Sequence, residues 1–164
     1  METISGLVAH PLLVHIPVVL IPLAAIGVIV IAVRPSLMRM FGPVVAALAG
    51  VGFVGALLAA NSGEALEERF EEAGQSISKT LHDHAEMGDG ARLFALIFFV
   101  LVLAWVLFAW WRRRAGEDKA VQKVRKPKVI ALVLAVLAVI GAVSATVSVT
   151  LTGHSGAESV WENS

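Results

Sequence analysis

The stretch Pro11-Leu-Leu-Val-His15-Ile-Pro17-Val-Val-Leu-Ile-Pro22-Leu-Ala-Ala-Ile-Gly27-Val-Ile-Val-Ile-Ala-Val33 decides the class of fold, because no charged residue interrupts it. Its length meets the roughly 20 apolar residues that a helix rising about 1.5 Å per residue needs to cross about 30 Å of hydrocarbon. No basic segment precedes it and no small-residue cleavage site follows it, so it reads as a retained span and not a signal peptide. Three later stretches have the same character, at about residues 41–60, 91–111 and 129–152. An all-α, four-helix transmembrane bundle follows, up-down-up-down, with residues 1–164 as a single domain.

Composition agrees. The 164 residues are 57% hydrophobic and 16% charged, against about 45–50% and about 25% in ordinary soluble domains; the mean hydropathy is +0.81. With 13 basic and 13 acidic residues there is no net field to attract nucleic acid. The absence of cysteine excludes disulfides, iron–sulfur clusters, thiolate zinc sites and covalently attached haem. No phosphate-binding loop, dinucleotide fingerprint or nucleophile elbow appears, so no enzyme active site is assigned.

Charge sets the expected orientation. Arg34, Arg39, Arg112, Arg113, Arg114, Lys119, Lys123, Arg125, Lys126 and Lys128 follow spans one and three, leaving only Arg69, Lys79 and Arg92 for the other face. Cytoplasmic loops are the basic ones. Both termini are therefore expected on the outer, periplasmic side of the inner (plasma) membrane, with Trp110 and Trp111 in the cytoplasmic aromatic belt. Gly52, Gly55, Ala59 and Gly63 in span two, and Gly141 with Ala145 in span four, suit close helix approach in lipid. Ser144, Ser148 and Thr152 repeat every fourth residue, for bonding to the preceding turn or for a polar interior.

This topology brings all five histidines toward the outer face. Counted from the cytoplasmic ends of straight helices, His10, His84 and His154 share one level, while His15 lies about two turns deeper inside the hydrocarbon. An ionisable group within a span ordinarily faces a partner or a cavity, and Pro17 and Pro22 beside His15 each remove a helix hydrogen bond. Imidazoles gathered at one level are how bundles build haem and metal sites. Between spans two and three, residues 63–74 form a short amphipathic helix (or one arm of a helical hairpin), apolar at Leu66, Phe70 and Ala73 and rich in glutamate, which extends span two outward or lies on the surface. Residues 78–89 extend span three, with His82 and Glu86 one turn apart.

Three stretches together carry a family resemblance: His10-Pro-Leu-Leu-Val-His15-Ile-Pro17, then Ser62-Gly-Glu-Ala65 with His84-Ala-Glu-Met-Gly88, and Thr152-Gly-His154-Ser-Gly-Ala157 with Val160-Trp161. In order and in frame the chain resembles the bacterial membrane family known only as a domain of unknown function, number two-two-three-one. It departs from that pattern at Ile16, where an aromatic is common, and at Ser155-Gly156-Ala157, where a glycine pair is common. The resemblance implies His10, His15, His84 and His154 as the motif histidines. The fusion of some relatives to Rieske-type domains implies electron transfer at the outer face.

The leading expectation is a haem b protein for electron transfer, with axial imidazoles drawn from His10, His15, His84 and His154. His15 with His84 is the first pairing, although straight helices separate them by about 13 Å; His10 with His84 or His154 matches better in height. The alternatives are a zinc, copper or iron ion held by His10, His84 and His154 with Glu64 or Glu86, and a structural subunit of a larger membrane complex. The expected partners are the lipid bilayer, a redox partner or larger complex, and a second copy of the chain.

Overall fold

The computed structural model describes residues 3–4, 7–72, 74, 79–114 and 126–161, with side chains over 12–65, 68, 72, 74, 82–114 and 126–156. Four long helices carry the fold: α1 (Ala9–Val33), α2 (Met38–Glu72), α3 (Lys79–Arg114) and α4 (Pro127–Trp161). A single 3-10 turn, Pro35–Leu37, joins α1 to α2, and the Arg34 amide donates to the Val30 carbonyl at 2.9 Å. Ahead of α1 a two-residue ribbon pairs Thr3–Ile4 with Leu7–Val8. Its residues precede the first apolar run and carry no periodic signal.

Local chemistry explains the helix ends. Pro127 opens α4, where its missing N–H has no intrahelical partner to lose. Beyond Glu72, Gly74 takes φ +69°, a left-handed conformation that glycine adopts without a Cβ penalty. Of the two placements expected for the glutamate-rich segment, it takes the extension of span two, since α2 runs unbroken through it to Glu72. At 35 residues α2 is about 52 Å long, well beyond the ~30 Å hydrocarbon thickness. Residues 79–89 likewise form the first turns of α3.

Each helix buries one narrow stripe at alternating steps of three and four residues: Ile21, Ala24, Val28 and Ile31; Val45, Ala49 and Ala56 with Gly42 and Gly52; Ala91, Ala95, Phe98, Val102 and Trp105; Ala138, Ala142, Ala145 and Val149. That spacing belongs to helices wound in a left-handed bundle at small crossing angles. Small residues on the stripes bring the backbones close. At Gly55 an added Cβ would overlap Ile16 and meet Pro17, and at Gly141 it would fall 3.1 Å from Leu101.

The contacts also fix relative direction. Gly27 meets Val45 while Gly55 meets Ile16; Gly42 meets Val106 while Gly50 meets Phe99; Gly141 meets Phe98 while Gly156 meets His84. Neighbours along the chain are thus antiparallel, and α1 closes the ring against α4 where Gly153 faces Val18. Outside the ring the surface is apolar, as at Ile26, Val133, Ile140 and Leu132, the last 64% exposed, and among the described residues no polar or charged residue is buried. Water does not solvate such a surface; lipid does. Leu12–Val33, Pro35–Ala65, His82–Arg114 and Pro127–Gly156 are each long and apolar enough to span a membrane.

Candidate functional site at the histidine end

The most ordered polar structure lies where α3 meets the end of α4. His84 is half-buried, and its Nδ1 stands 2.9 Å from Ser155 Oγ. Ser155 Oγ in turn donates to the Thr152 carbonyl at 3.0 Å. A hydroxyl has one proton to give. With that proton on the Thr152 carbonyl, Ser155 accepts from His84, so Nδ1 is the protonated nitrogen. In the neutral ring this leaves Nε2 as the nitrogen with a lone pair. The imidazole lies against the bare backbone of Gly156, where a Cβ would stand 2.8 Å from Cε1 and 3.2 Å from Nε2. Serine and glycine at consecutive positions thus orient the ring from two sides.

Thr152 extends the network one turn inward. Its hydroxyl lies 2.9 Å from the Ser148 carbonyl on its own helix and 3.1 Å from the Met87 carbonyl on α3, sharing one proton between them. Within the repeat of Ser144, Ser148 and Thr152, the Thr152 hydroxyl bonds to the preceding turn as expected and also bridges to α3. On the other flank of α3, Arg92 donates to Asn61 Oδ1 at 3.3 Å and pairs with Glu64 at 3.4 Å and Asp89 at 2.8 Å. Glu64 therefore faces Arg92 across the α2–α3 seam, whereas His84 is turned toward α4. Glu86 and His82 are exposed on the outer turns of α3.

The contacts of α1 with α4 and with α2 bear on the height of His15. Val18 packs against Gly153, so His15, one turn outward, stands beside the α4 turn that carries His154, Ser155 and Gly156. Traced through α2, where Ile16 meets Gly55 and Gly50 meets Phe99, His15 instead falls near Leu93, two turns or more inward of His84. His15 is exposed, on the same outward stripe as Leu12, Val19, Ile26 and Val30, and His154 is exposed too. The His10 side chain lies outside the described residues. Among the described residues no three histidine or carboxylate side chains converge as a ready metal site. His84, His154 and His15 stand toward this end of the bundle on α3, α4 and α1, which are consecutive around the ring.

Sequence reasoning named His84 and missed its partners. Ser155 was visible there only as a departure from a family pattern. The placement of a serine and a bare glycine one turn beyond Thr152 was the available signal for a ring docking on that face.

Fold, surface and spans define an integral membrane protein built as a four-helix bundle. The chain belongs to the family described as "Predicted membrane protein (DUF2231)", which matches residues 6–164. No curated protein and no solved structure matches it.

Proposed function

We propose that this protein holds a haem b at the outer end of the bundle and passes electrons there, with His84 as the anchored axial ligand. The second ligand comes from His15, His154 or His10. The observation behind it is the Ser155–His84 bond, which favours a donor role for Nδ1 when the Ser155 proton lies on the Thr152 carbonyl. A ligating histidine ordinarily donates its other ring N–H in this way, which fixes its tautomer and orientation. Imidazole suits haem iron, and His84, unlike its exposed neighbours Asp83 and Glu86, is half-buried in the seam between α3 and α4. Held between two neutral imidazoles, the iron would supply one-electron chemistry, tuned by hydrogen bonding and burial.

Within that role Ser155 and Gly156 hold the ring in place, and Thr152 ties α3 to α4 so that the two helices keep their spacing. The Val18–Gly153 contact, which brings α1 against the last turns of α4, favours His15 as the partner of His84. A non-haem zinc, copper or iron ion would draw on the same His84 nitrogen. Glu64 is less suited to complete such a site, because it is drawn to Arg92 on the opposite flank of α3. The expected orientation places this end on the periplasmic side of the inner membrane.

Absorption spectroscopy of the purified full-length protein tests the reading. The expected result is a Soret band with sharp α and β bands on reduction, lost in His84→Ala and retained in His82→Ala. A colourless protein with stoichiometric zinc or copper would replace haem by a metal ion. A colourless, metal-free protein, or equal spectra for the two variants, would overturn the proposal.

A further inference from the structure

The opposite end of the bundle carries a second feature, independent of the histidines. Between α2 and α3 runs a groove of about 360 Å³, with Arg39 and Arg113 at its mouth, Trp110 at its rim, and Pro43, Ala46, Leu103, Val106 and Leu107 along its length. Arg113 and Met38 also border an adjoining groove toward α4, beside Arg112 and Trp105. Arg114 is engaged elsewhere, its guanidinium 4.1 Å from the Trp110 ring centre. Among the described residues no carboxylate pairs with Arg39 or Arg113; the only described ion pairs are those of Arg92 at the far end.

We infer that this groove is a binding site for an anionic phospholipid, its phosphate between Arg39 and Arg113 and an acyl chain along the apolar wall below. Two guanidinium groups from neighbouring helices present fork-shaped donors matched to phosphate oxygens. The wall beneath them offers no hydrogen-bonding side chain, so it suits a hydrocarbon chain and not the remainder of a soluble anion. Charge at one end and an apolar trough at the other select an amphiphile with a negative head. Trp110 sits where an amphipathic ring meets the headgroup layer. Basic pockets between helices at the cytoplasmic face take lipid headgroups by the same physics.

Native mass spectrometry of the delipidated full chain provides the test, with phosphatidylglycerol and phosphatidylcholine of identical acyl chains added in equal amounts. Phosphatidylglycerol is expected to be retained preferentially. Arg39→Gln and Arg113→Gln should each lower that retention about fivefold, and the pair about twenty-five-fold. Arg34→Gln removes an equal charge from the same face outside the groove and should change little. Leu107→Trp narrows the groove at an exposed position with every charge intact, and it should also lower retention. Equal retention of the two lipids, an Arg34→Gln loss as large as that of Arg113→Gln, or displacement of the lipid by excess inorganic phosphate would each overturn the inference.

Discussion

At the histidine end of the bundle, polar groups are satisfied by one another: His84 by Ser155, Ser155 by the Thr152 carbonyl, Thr152 by Met87 and Ser148, and Arg92 by Asn61, Glu64 and Asp89. At the arginine end, Arg39 and Arg113 stand over apolar grooves without a described acidic partner. Both ends sit near a membrane surface, and both carry the polar residues that the helices exclude from the middle. The difference lies in what each leaves for a ligand. One end spends its hydrogen bonds inside the protein and so orders a single imidazole. The other keeps its donors directed outward, toward whatever the bilayer supplies.

The largest expected effect breaks the scaffold beneath the histidine end. Gly55→Leu drives a side chain into Ile16 and Pro17 and should destabilise the bundle by about 3 kcal/mol or more, read as a lower midpoint in thermal unfolding in detergent. Gly42, near the other end, meets Met38 Sδ at 2.8 Å, the far end of a flexible side chain, and Val106 at an ordinary 3.4 Å. Gly42→Ala should therefore cost about 1 kcal/mol or less. Equal losses at the two glycines would mean that the ends are packed alike.

Next in size is Ser155→Ala. It removes the acceptor of the His84 N–H and should weaken cofactor retention by about 10- to 100-fold while leaving helix content unchanged; a haem or metal titration reads this directly. A wild-type affinity in that variant would show that the ring is oriented by packing on Gly156 alone. Thr152→Val deletes a hydroxyl shared between two carbonyls and should lower stability by about 0.6 kcal/mol, the usual worth of an interhelical hydrogen bond in lipid. The smallest effect belongs to Thr146, whose hydroxyl is buried without a partner among the described residues. Thr146→Val should leave thermal stability unchanged or raise it slightly, since it replaces an unsatisfied group by an isosteric apolar one. A marked loss there would reveal a polar ligand between the two ends.

The four spans were legible because lipid imposes length and apolarity that a short composition scan detects, and the first of them, 11–33, needs no tertiary context. The closeness of α1 and α2 was legible too, in Gly52 and Gly55. The buried stripe of α4 was not. Ala138, Ala142 and Ala145 are no more hydrophobic than the valines and leucines beside them, so in an all-apolar helix periodicity hides the inward face. The level at which His15 meets its neighbours was not legible, because it depends on helix tilt, which residue counting omits. Ser155 was hidden because the hydroxyl that orients His84 is separated from it by most of α3, the following connection and most of α4.

Long-range nitrogen–proton NMR of the His84 ring in the cofactor-free protein tests the central claim most directly. Retention of the proton on Nδ1, with Nε2 giving the signal of an unprotonated nitrogen and Ser155→Ala erasing the preference, is the predicted result. A ring protonated at Nε2 instead, indifferent to Ser155, would contradict it.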